Sequence, residues 1–282
     1  MAKLGVILMM VKEQVADEGM FAVLQRLKAL DLQCVEVSQI PMNEANTADL
    51  ERGINELGIE VAALSVALKA GPFATGDALD ADFDKIVADC RRLGCHLVRI
   101  GMMPFDAMTS KDACEAWAAE CEAAAVKLAA EGISLLYHNH HIDLAQFDGE
   151  RIFDLVRRVA PTVQFEVDLH WVQRGGMAPL DMLAAYGGVC RTIHVKDFRV
   201  VTLPPESMDL IAQGKRAEFF AQFLSIAQFA EVGAGNMNWP AILPAALDAG
   251  AEYFFIEQDE TYGRDPFDCI AESRKYLASI GY

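Results

Sequence analysis

Histidine and carboxylate side chains are concentrated at four places in the second half of the chain. The segments are YHNHH at 137–141, EVDLHW at 166–171, HVKD at 194–197 and EQD at 257–259, and each ends a short apolar run. Imidazole and carboxylate groups brought to one point suit a divalent cation such as Mn²⁺, Co²⁺, Zn²⁺ or Mg²⁺. A cation would also relieve the repulsion between crowded acidic groups. We therefore predict a site for one divalent metal ion.

Alternation along each strand decides which of these side chains share a face. Neighbouring residues of a β-strand point to opposite sides. The residues that share a face are His138 with His140, Glu166 with Asp168 and His170, His194 with Lys196, and Glu257 with Asp259. If these faces point into the mouth of one barrel, the imidazoles and carboxylates converge there.

The elements that would position these residues recur regularly along the chain. Eight apolar or β-branched runs are each followed by an Ala-rich amphipathic stretch, and helical patterns at Glu51–Leu57, Lys85–Leu93, Glu115–Glu131 and Ala245–Ala249 each stop at a glycine. The runs are Gly5–Met10, Cys34–Gln39, Val61–Leu68, Leu97–Met102, Ile133–His138, Val163–Asp168, Thr192–Asp197 and Tyr253–Gln258. Alternating strands and helices imply parallel strands. Eight units predict a (β/α)8 TIM barrel with its functional residues at the C-terminal strand ends, and an open doubly wound sheet is the alternative.

Residues 200–240 interrupt this rhythm after the seventh run. They contain Pro204-Pro205, a helical pattern over Lys215–Phe229 and the turn-rich segment Gly233–Asn238. A long insertion after a barrel strand lies over the active-site face. We therefore predict a single domain over residues 1–282, with 200–240 as an inserted loop and helix over its C-terminal face.

Composition argues against several classes of partner. The net charge of −17 arises from 24 Lys and Arg against 41 Asp and Glu, which disfavours nucleic acid and anionic membrane surfaces. No apolar run reaches the roughly 18 residues that a membrane span needs, and the N-terminal stretch fits a first strand better than a signal peptide. Seven cysteines without a CxxC pair indicate reduced thiols. These features predict a cytoplasmic protein.

Five motifs in order resemble the xylose-isomerase-like barrel family of sugar phosphate isomerases and epimerases, in its subgroup with YHNH. The motifs are Tyr137-His-Asn-His140, Asp168-Leu-His-Trp171 followed by Gly175-Gly176, His194-Val-Lys-Asp197, Glu231-Val-Gly-Ala-Gly235 leading to Asn238-Trp239, and Glu257-Gln-Asp259 with Ser273. The first half of the chain shares only the strand–helix rhythm. The family includes tagatose-type epimerases, inosose dehydratase and 3-dehydroshikimate dehydratase, with endonuclease IV as a distant relative.

The resemblance implies a set of metal ligands. Asp168, His194 and Glu257 stand at three of the family's four ligand positions. The fourth position, on the fifth strand, is usually Glu, and this chain departs from it. His138 occupies that place by strand parity, with Asp143 as the alternative ligand.

The resemblance also implies catalytic roles. In the family the metal holds two vicinal substrate oxygens and stabilises an enediolate-like charge. Glu257 would be ligand and base together, and the opposite base would be His138, His140 or Asp143. Lys196 would neutralise a substrate oxyanion.

Several of these residues also have a structural alternative. Asn139, Trp171 and Glu231 are predicted substrate contacts, although Trp171 also fits a core position and Glu231 a loop anchor. Lys196 can instead form an ion pair with Asp197.

The predicted function is a metal-dependent isomerase or epimerase acting on a sugar, keto-sugar or sugar phosphate. The alternative is a lyase that dehydrates a keto-polyol, as inosose and 3-dehydroshikimate dehydratases do, or eliminates from a 3-keto-glycoside. The missing fifth-strand Glu leaves room for this alternative. A DNA-repair enzyme and a non-catalytic sugar-binding barrel are further hypotheses. The predicted partner is a small sugar-like molecule, and barrels of this type often pair into homo-oligomers.

Overall fold

Eight parallel strands close into one barrel in the computed structural model, which describes residues 2–71 and 76–282. The barrel strands are β1 (Lys3–Ile7), β2 (Cys34–Val37), β3 (Glu60–Val66), β4 (Leu97–Ile100), β5 (Ser134–His138), β6 (Gln164–Asp168), β7 (Cys190–Val195) and β8 (Tyr253–Ile256). Strand β8 pairs with both β7 and β1, which closes the sheet. The predicted (β/α)8 barrel is confirmed.

Helices surround the strands. They are α1 (Lys12–Glu18), α2 (Met20–Ala29), α3 (Glu44–Leu57), α4 (Phe83–Leu93), α5 (Lys111–Ala130), α6 (Ile152–Val159), α7 (Leu169–Arg174), α8 (Pro179–Ala185), α9 (Ser207–Ala212), α10 (Arg216–Leu224), α11 (Trp239–Asp248) and α12 (Pro266–Ser279). In the described ranges, no helix combines the length and the apolarity needed to cross a membrane.

The predicted helix ends agree with the structure better than the predicted starts. Helices α3 and α4 stop before Gly58 and Gly94, which adopt the left-handed conformation that glycine tolerates best. Helices α3 and α5 begin several residues before the predicted stretches. The Asn43 and Ser110 side chains accept hydrogen bonds from the backbone at these starts, and such caps let a helix include weaker helix formers.

The inserted segment after β7 differs from its prediction. Helix α10 ends at Leu224, and Ala227–Ala230 forms a strand that pairs antiparallel with Asp197–Val200. The predicted helix over Lys215–Phe229 is therefore wrong in its last part. The backbone of Asp197–Val200 forms hydrogen bonds with Ala227–Ala230 and holds it as a strand. A helical pattern is a local property of the sequence and does not reveal this distant partner.

The interior of the barrel changes character along its axis. The part nearer the N-terminal ends of the strands is apolar and consists of Cys34, Ala62, Ala63, Leu97, Leu136 and Phe255. Two residues further along four strands, the same faces carry the buried polar side chains of Glu36, Arg99, His138 and Glu257. The main apolar core lies instead between the strands and the helices. The barrel therefore holds a charged layer just below its C-terminal mouth.

Candidate metal centre

Four buried side chains from four neighbouring strands converge at the C-terminal end of the barrel. They are His138 at the end of β5, Asp168 at the end of β6, His194 in β7 and Glu257 directly after β8, and one potential ligand atom from each lies within 4.8 Å of the others. The His194 Nδ1 atom is 2.5 Å from Glu257 Oε2 and 4.0 Å from Asp168 Oδ2. The strand register explains the meeting, because Asp168 is paired directly with His194.

The atoms that face one another in this cluster suit a cation. His194 Nδ1, Asp168 Oδ2 and Glu257 Oε2 are buried, and within the described residues they contact one another and Lys196 without forming a well-directed hydrogen bond. Burying polar atoms that lack such a hydrogen bond is costly. A nitrogen and oxygen donor set without sulfur matches Mn²⁺, Co²⁺, Zn²⁺ or Mg²⁺. These four residues therefore fit a divalent metal ion.

Asp143 lies outside this cluster. Its Oδ1 accepts a hydrogen bond from the Tyr137 hydroxyl at 2.5 Å, and its Oδ2 accepts one from the His140 backbone at 2.7 Å. Burial raises the pKa of Asp143 to about 6, although both hydrogen bonds oppose the rise. Because both oxygens are engaged locally, the geometry favours His138 as the fourth ligand.

Behind His194 lies a group of buried charges that sequence reasoning did not anticipate. His194 Nε2 is 3.1 Å from both Glu36 Oε2 and Glu166 Oε2. The Arg99 Nε atom lies 2.5 Å from Glu36 Oε1 and 3.1 Å from Glu166 Oε2. The Thr192 hydroxyl donates a hydrogen bond to Glu166 Oε1 at 2.8 Å. In the sequence, the sign of this buried group is Glu36, an acidic residue inside the otherwise apolar run CVEV of β2.

These neighbours set the charges of the buried groups. Burial raises the pKa of Glu36 against the effect of Arg99. For Glu166, burial is outweighed by His194 and Arg99, which hold its pKa at about 2. Burial would lower the pKa of His194, but the Glu166 and Glu257 carboxylates outweigh it and raise that pKa well above its usual value.

Lys196 is almost fully buried and faces three carboxylates. Its Nζ atom is 2.9 Å from Glu257 Oε2, 3.1 Å from Asp168 Oδ2 and 3.0 Å from Asp259 Oδ1. Burial would lower the pKa of Lys196, but Asp168 and the other carboxylates outweigh it and raise that pKa above its ordinary value. Lys196 is therefore a permanent ammonium ion beside the ligand cluster.

Asp197 points away from Lys196, so the alternative of an ion pair between these two residues is wrong. The Asp197 carboxylate accepts four hydrogen bonds, from the backbone of Phe198, Gly233 and Met237 and from the Trp239 indole, at 2.8–3.1 Å. It thereby ties the turn-rich end of the inserted segment to the chain just after β7.

His138 and His140 both carry neutral imidazoles at neutral pH. Burial and the charge of Lys196 lower the pKa of His140 to about 3. Burial and the neighbouring His194 lower the pKa of His138 well below its usual value. Either ring can accept a proton, but neither provides an imidazolium near pH 7.

The predicted substrate contacts differ in their surroundings. The Asn139 side chain is buried and makes two hydrogen bonds with the Asp168 backbone, at 2.9 and 3.1 Å, which favours a role in positioning Asp168. Glu231 is also buried and accepts a hydrogen bond from Arg264 at 2.6 Å. The half-buried ring of Trp171 has its centroid 5.2 Å from Lys196 Nζ.

A cavity of about 1900 Å³ opens above the cluster. It is lined by His138, His140, Lys196 and Glu257 together with residues of the loops after β1, β3, β4 and β8. The cavity therefore gives a small molecule access to the cluster.

The family model for the xylose isomerase-like TIM barrel matches residues 24–280. No curated protein matches the chain significantly. Similar solved structures include a sugar phosphate isomerase/epimerase from Parabacteroides distasonis ATCC 8503, with 19% identity, a TM-score of 0.73 and 98% of each chain covered. An L-ribulose 3-epimerase has 14% identity and a TM-score of 0.71, covering 99% of this chain and 94% of the other. A probable 3-DHS dehydratase from Bacillus anthracis has 13% identity and a TM-score of 0.66, covering 99% of both chains. At these identities the likeness shows a shared fold.

Proposed function

This chain belongs to the xylose isomerase-like TIM barrel family, and we propose that it is a divalent-metal-dependent isomerase or epimerase of a sugar, keto-sugar or sugar phosphate. The observation that carries the proposal is the convergence of four buried metal-type ligands below an open cavity. Three of them, Asp168, His194 and Glu257, turn toward the centre a donor atom that forms no well-directed hydrogen bond in the described residues. The fold shared with an L-ribulose 3-epimerase supports the choice of reaction class.

The proposed ligands are His138, Asp168, His194 and Glu257. A divalent ion held by them would act as a Lewis acid toward neighbouring oxygens of a polyol. Asn139 holds the Asp168 backbone in place through two hydrogen bonds.

The proton transfers fall to side chains that line the cavity. Burial would raise the pKa of Glu257, but Lys196 and His194 outweigh it and keep the carboxylate ionised. Glu257 can therefore accept a proton from the carbon next to a carbonyl group. The neutral imidazole of His140, whose Nδ1 has no hydrogen-bond partner in the described residues, can serve as the second base. The Lys196 ammonium stabilises negative charge that develops on a substrate oxygen.

A lyase is the second candidate, either a dehydratase of a keto-polyol or an enzyme that eliminates from a 3-keto-glycoside. It is favoured by the imidazole of His138 where the family usually has a carboxylate. Elimination needs a group that protonates the departing oxygen. His138 and His140 are neutral near pH 7 and Lys196 keeps its proton, so the Glu257 carboxyl, once it has taken the proton from carbon, would be the group that passes it to the departing oxygen.

We also propose that the hairpin Asp197–Val200 with Ala227–Ala230 covers the site. The Phe229 ring of this hairpin stacks on His170 and its centroid lies 5.9 Å from Lys196 Nζ. The Tyr262 hydroxyl accepts a hydrogen bond from the Phe229 backbone at 3.0 Å. Aromatic rings at this position would exclude water from one side of a bound sugar.

Product analysis separates the two reactions. Purified protein with Mn²⁺ is incubated in D₂O with a panel of ketoses, keto-polyols, 3-keto-glycosides and their phosphates. An isomerase or epimerase exchanges the proton next to the carbonyl without loss of atoms, a dehydratase releases water, and the other lyase releases the aglycone. Absence of exchange and of turnover on the whole panel, with metal bound, would favour a non-catalytic sugar-binding barrel.

Metal analysis tests the ligand assignment. We expect Asp168→Ala and His194→Ala to lose most of their bound metal. Asp148→Ala and His96→Ala, at exposed positions away from the cluster, are the matched controls and should retain it. Full occupancy in both ligand variants would contradict the assignment.

A further inference from the structure

A layer of buried charge lies in the barrel directly below the ligand cluster. It comprises Glu36 on β2, Arg99 on β4 and Glu166 on β6, and all three side chains are at most 5% exposed. None of these three side chains takes part in the proposed reaction. Burying two carboxylates and a guanidinium group in a barrel is costly unless they pair with one another or with a neighbouring group.

Both imidazoles of the ligand cluster turn one nitrogen toward this layer. His194 Nε2 forms a hydrogen bond with Glu36 Oε2 at 3.1 Å and lies 3.1 Å from Glu166 Oε2. His138 Nδ1 lies 3.3 Å from the same Glu166 oxygen. An imidazole that binds a metal ion is neutral and has one N–H and one lone pair. If the N–H faces the carboxylate below, the lone pair of the other nitrogen is free for the cluster above.

We propose that Glu36 and Glu166 are positioning residues that orient His194 and His138 as metal ligands. The inference rests on the metal centre of the proposed function. Each carboxylate accepts the N–H of one ring nitrogen and so leaves the other nitrogen to face the metal ion. The negative charge of the carboxylate makes this second nitrogen a stronger electron-pair donor. Glu166 contacts both imidazole rings, whereas Glu36 contacts that of His194.

Arg99 makes this arrangement possible. Two carboxylates this close would repel each other, and the guanidinium lies against both of them. Glu36, Glu166 and His194 together also have the composition of a metal site, but Arg99 already supplies the positive charge there. Removing one carboxylate leaves Arg99 balanced by the other, so single Glu→Gln variants should fold.

The test measures metal affinity rather than activity. Co²⁺ is titrated into wild-type protein, Glu36→Gln and Glu166→Gln, and its visible absorption spectrum reports affinity and ligand geometry. Loss of such a supporting partner typically weakens metal binding about 10–100-fold, and we expect losses of this size with an altered spectrum. Glu60→Gln is the charge-matched control, because Glu60 begins β3 at the opposite end of the barrel and bonds to Lys3 and Tyr253. It should bind Co²⁺ like the wild type.

The outcomes distinguish this proposal from the one on which it rests. Circular dichroism establishes that each variant is folded, and Glu36→Asp, which keeps the charge but withdraws it from His194, replaces Glu36→Gln if the latter does not fold. Wild-type affinity and an unchanged spectrum in the folded Glu36 and Glu166 variants would refute the positioning role alone. If the wild type binds Co²⁺ no better than Asp168→Ala, the metal centre fails and this proposal fails with it.

Discussion

Replacing Lys196 with Met removes the ammonium group that contacts all three carboxylates at the barrel mouth. Methionine has a similar length and no charge. In the wild type, the ammonium lies 2.9–3.1 Å from Asp168, Glu257 and Asp259. The variant leaves the buried carboxylates of Asp168 and Glu257 and the more exposed one of Asp259 beside one another without this ammonium group.

The expected loss of stability is large. At an effective dielectric constant of about 20, each contact at about 3 Å has an attraction of roughly 5 kcal/mol, which the desolvation of Lys196 partly cancels. Measured losses after removal of one partner of a buried ion pair are about 3–5 kcal/mol. We expect Lys196→Met to lose about this much free energy of unfolding in metal-free buffer.

The same oxygens of Asp168 and Glu257 face both Lys196 and the proposed ion. A divalent cation should therefore stabilise Lys196→Met more than the wild type, since it meets no competing ammonium in the variant. A ligand at 100 times its Kd raises the free energy of unfolding by about 2.7 kcal/mol. At equal Mn²⁺ concentration, a tighter site in the variant therefore raises its free energy of unfolding more than that of the wild type.

Urea unfolding followed by circular dichroism, with EDTA and with Mn²⁺, measures both effects. Lys69→Met is the matched control, because Lys69 forms an exposed ion pair with Glu120 at 2.6 Å, and such pairs contribute at most about 1 kcal/mol. If Lys196→Met is as stable as Lys69→Met in EDTA, the electrostatic account of this cluster is wrong.

Three further predictions follow from contacts near the site. For Asp143, burial raises the folded-state pKa to about 6, so its carboxyl contributes stability that is fully present below about pH 3.9 and lost as the pH rises through about 6, by about 3 kcal/mol in total. Asp143→Asn should lack this part of the decline in urea titrations between pH 4 and 7, and an unchanged profile would contradict the shift. His138→Gln should bind Mn²⁺ more weakly by calorimetry whereas Asp143→Asn should not, and the reverse result would make Asp143 the fourth ligand. A Cβ atom at Gly235 would lie 2.1 Å from Asp197 Oδ1, so Gly235→Ala should lower the Tm by several degrees, whereas Gly187→Ala, whose Cβ would make ordinary van der Waals contacts at 3.8 Å, should not.

The amino-acid sequence determines the strand ends and the faces of their side chains. The period of two along a strand places His138, Asp168, His194 and Glu257 on inward faces once a barrel is assumed, and these four residues do converge. The eight alternating strand and helix patterns predict the barrel, because hydrophobic periodicity is a local property.

Contacts that only the three-dimensional structure reveals decide the remainder of the site. Glu36 and His194 are 158 positions apart, and no local pattern connects an acidic residue in β2 with a histidine in β7. The choice between His138 and Asp143 depends on two hydrogen bonds that occupy the Asp143 oxygens. The strand Ala227–Ala230 exists because Asp197–Val200 offers it backbone partners. In each case, a neighbour that the three-dimensional structure supplies fixes the orientation, the hydrogen bonds or the backbone conformation of the residue.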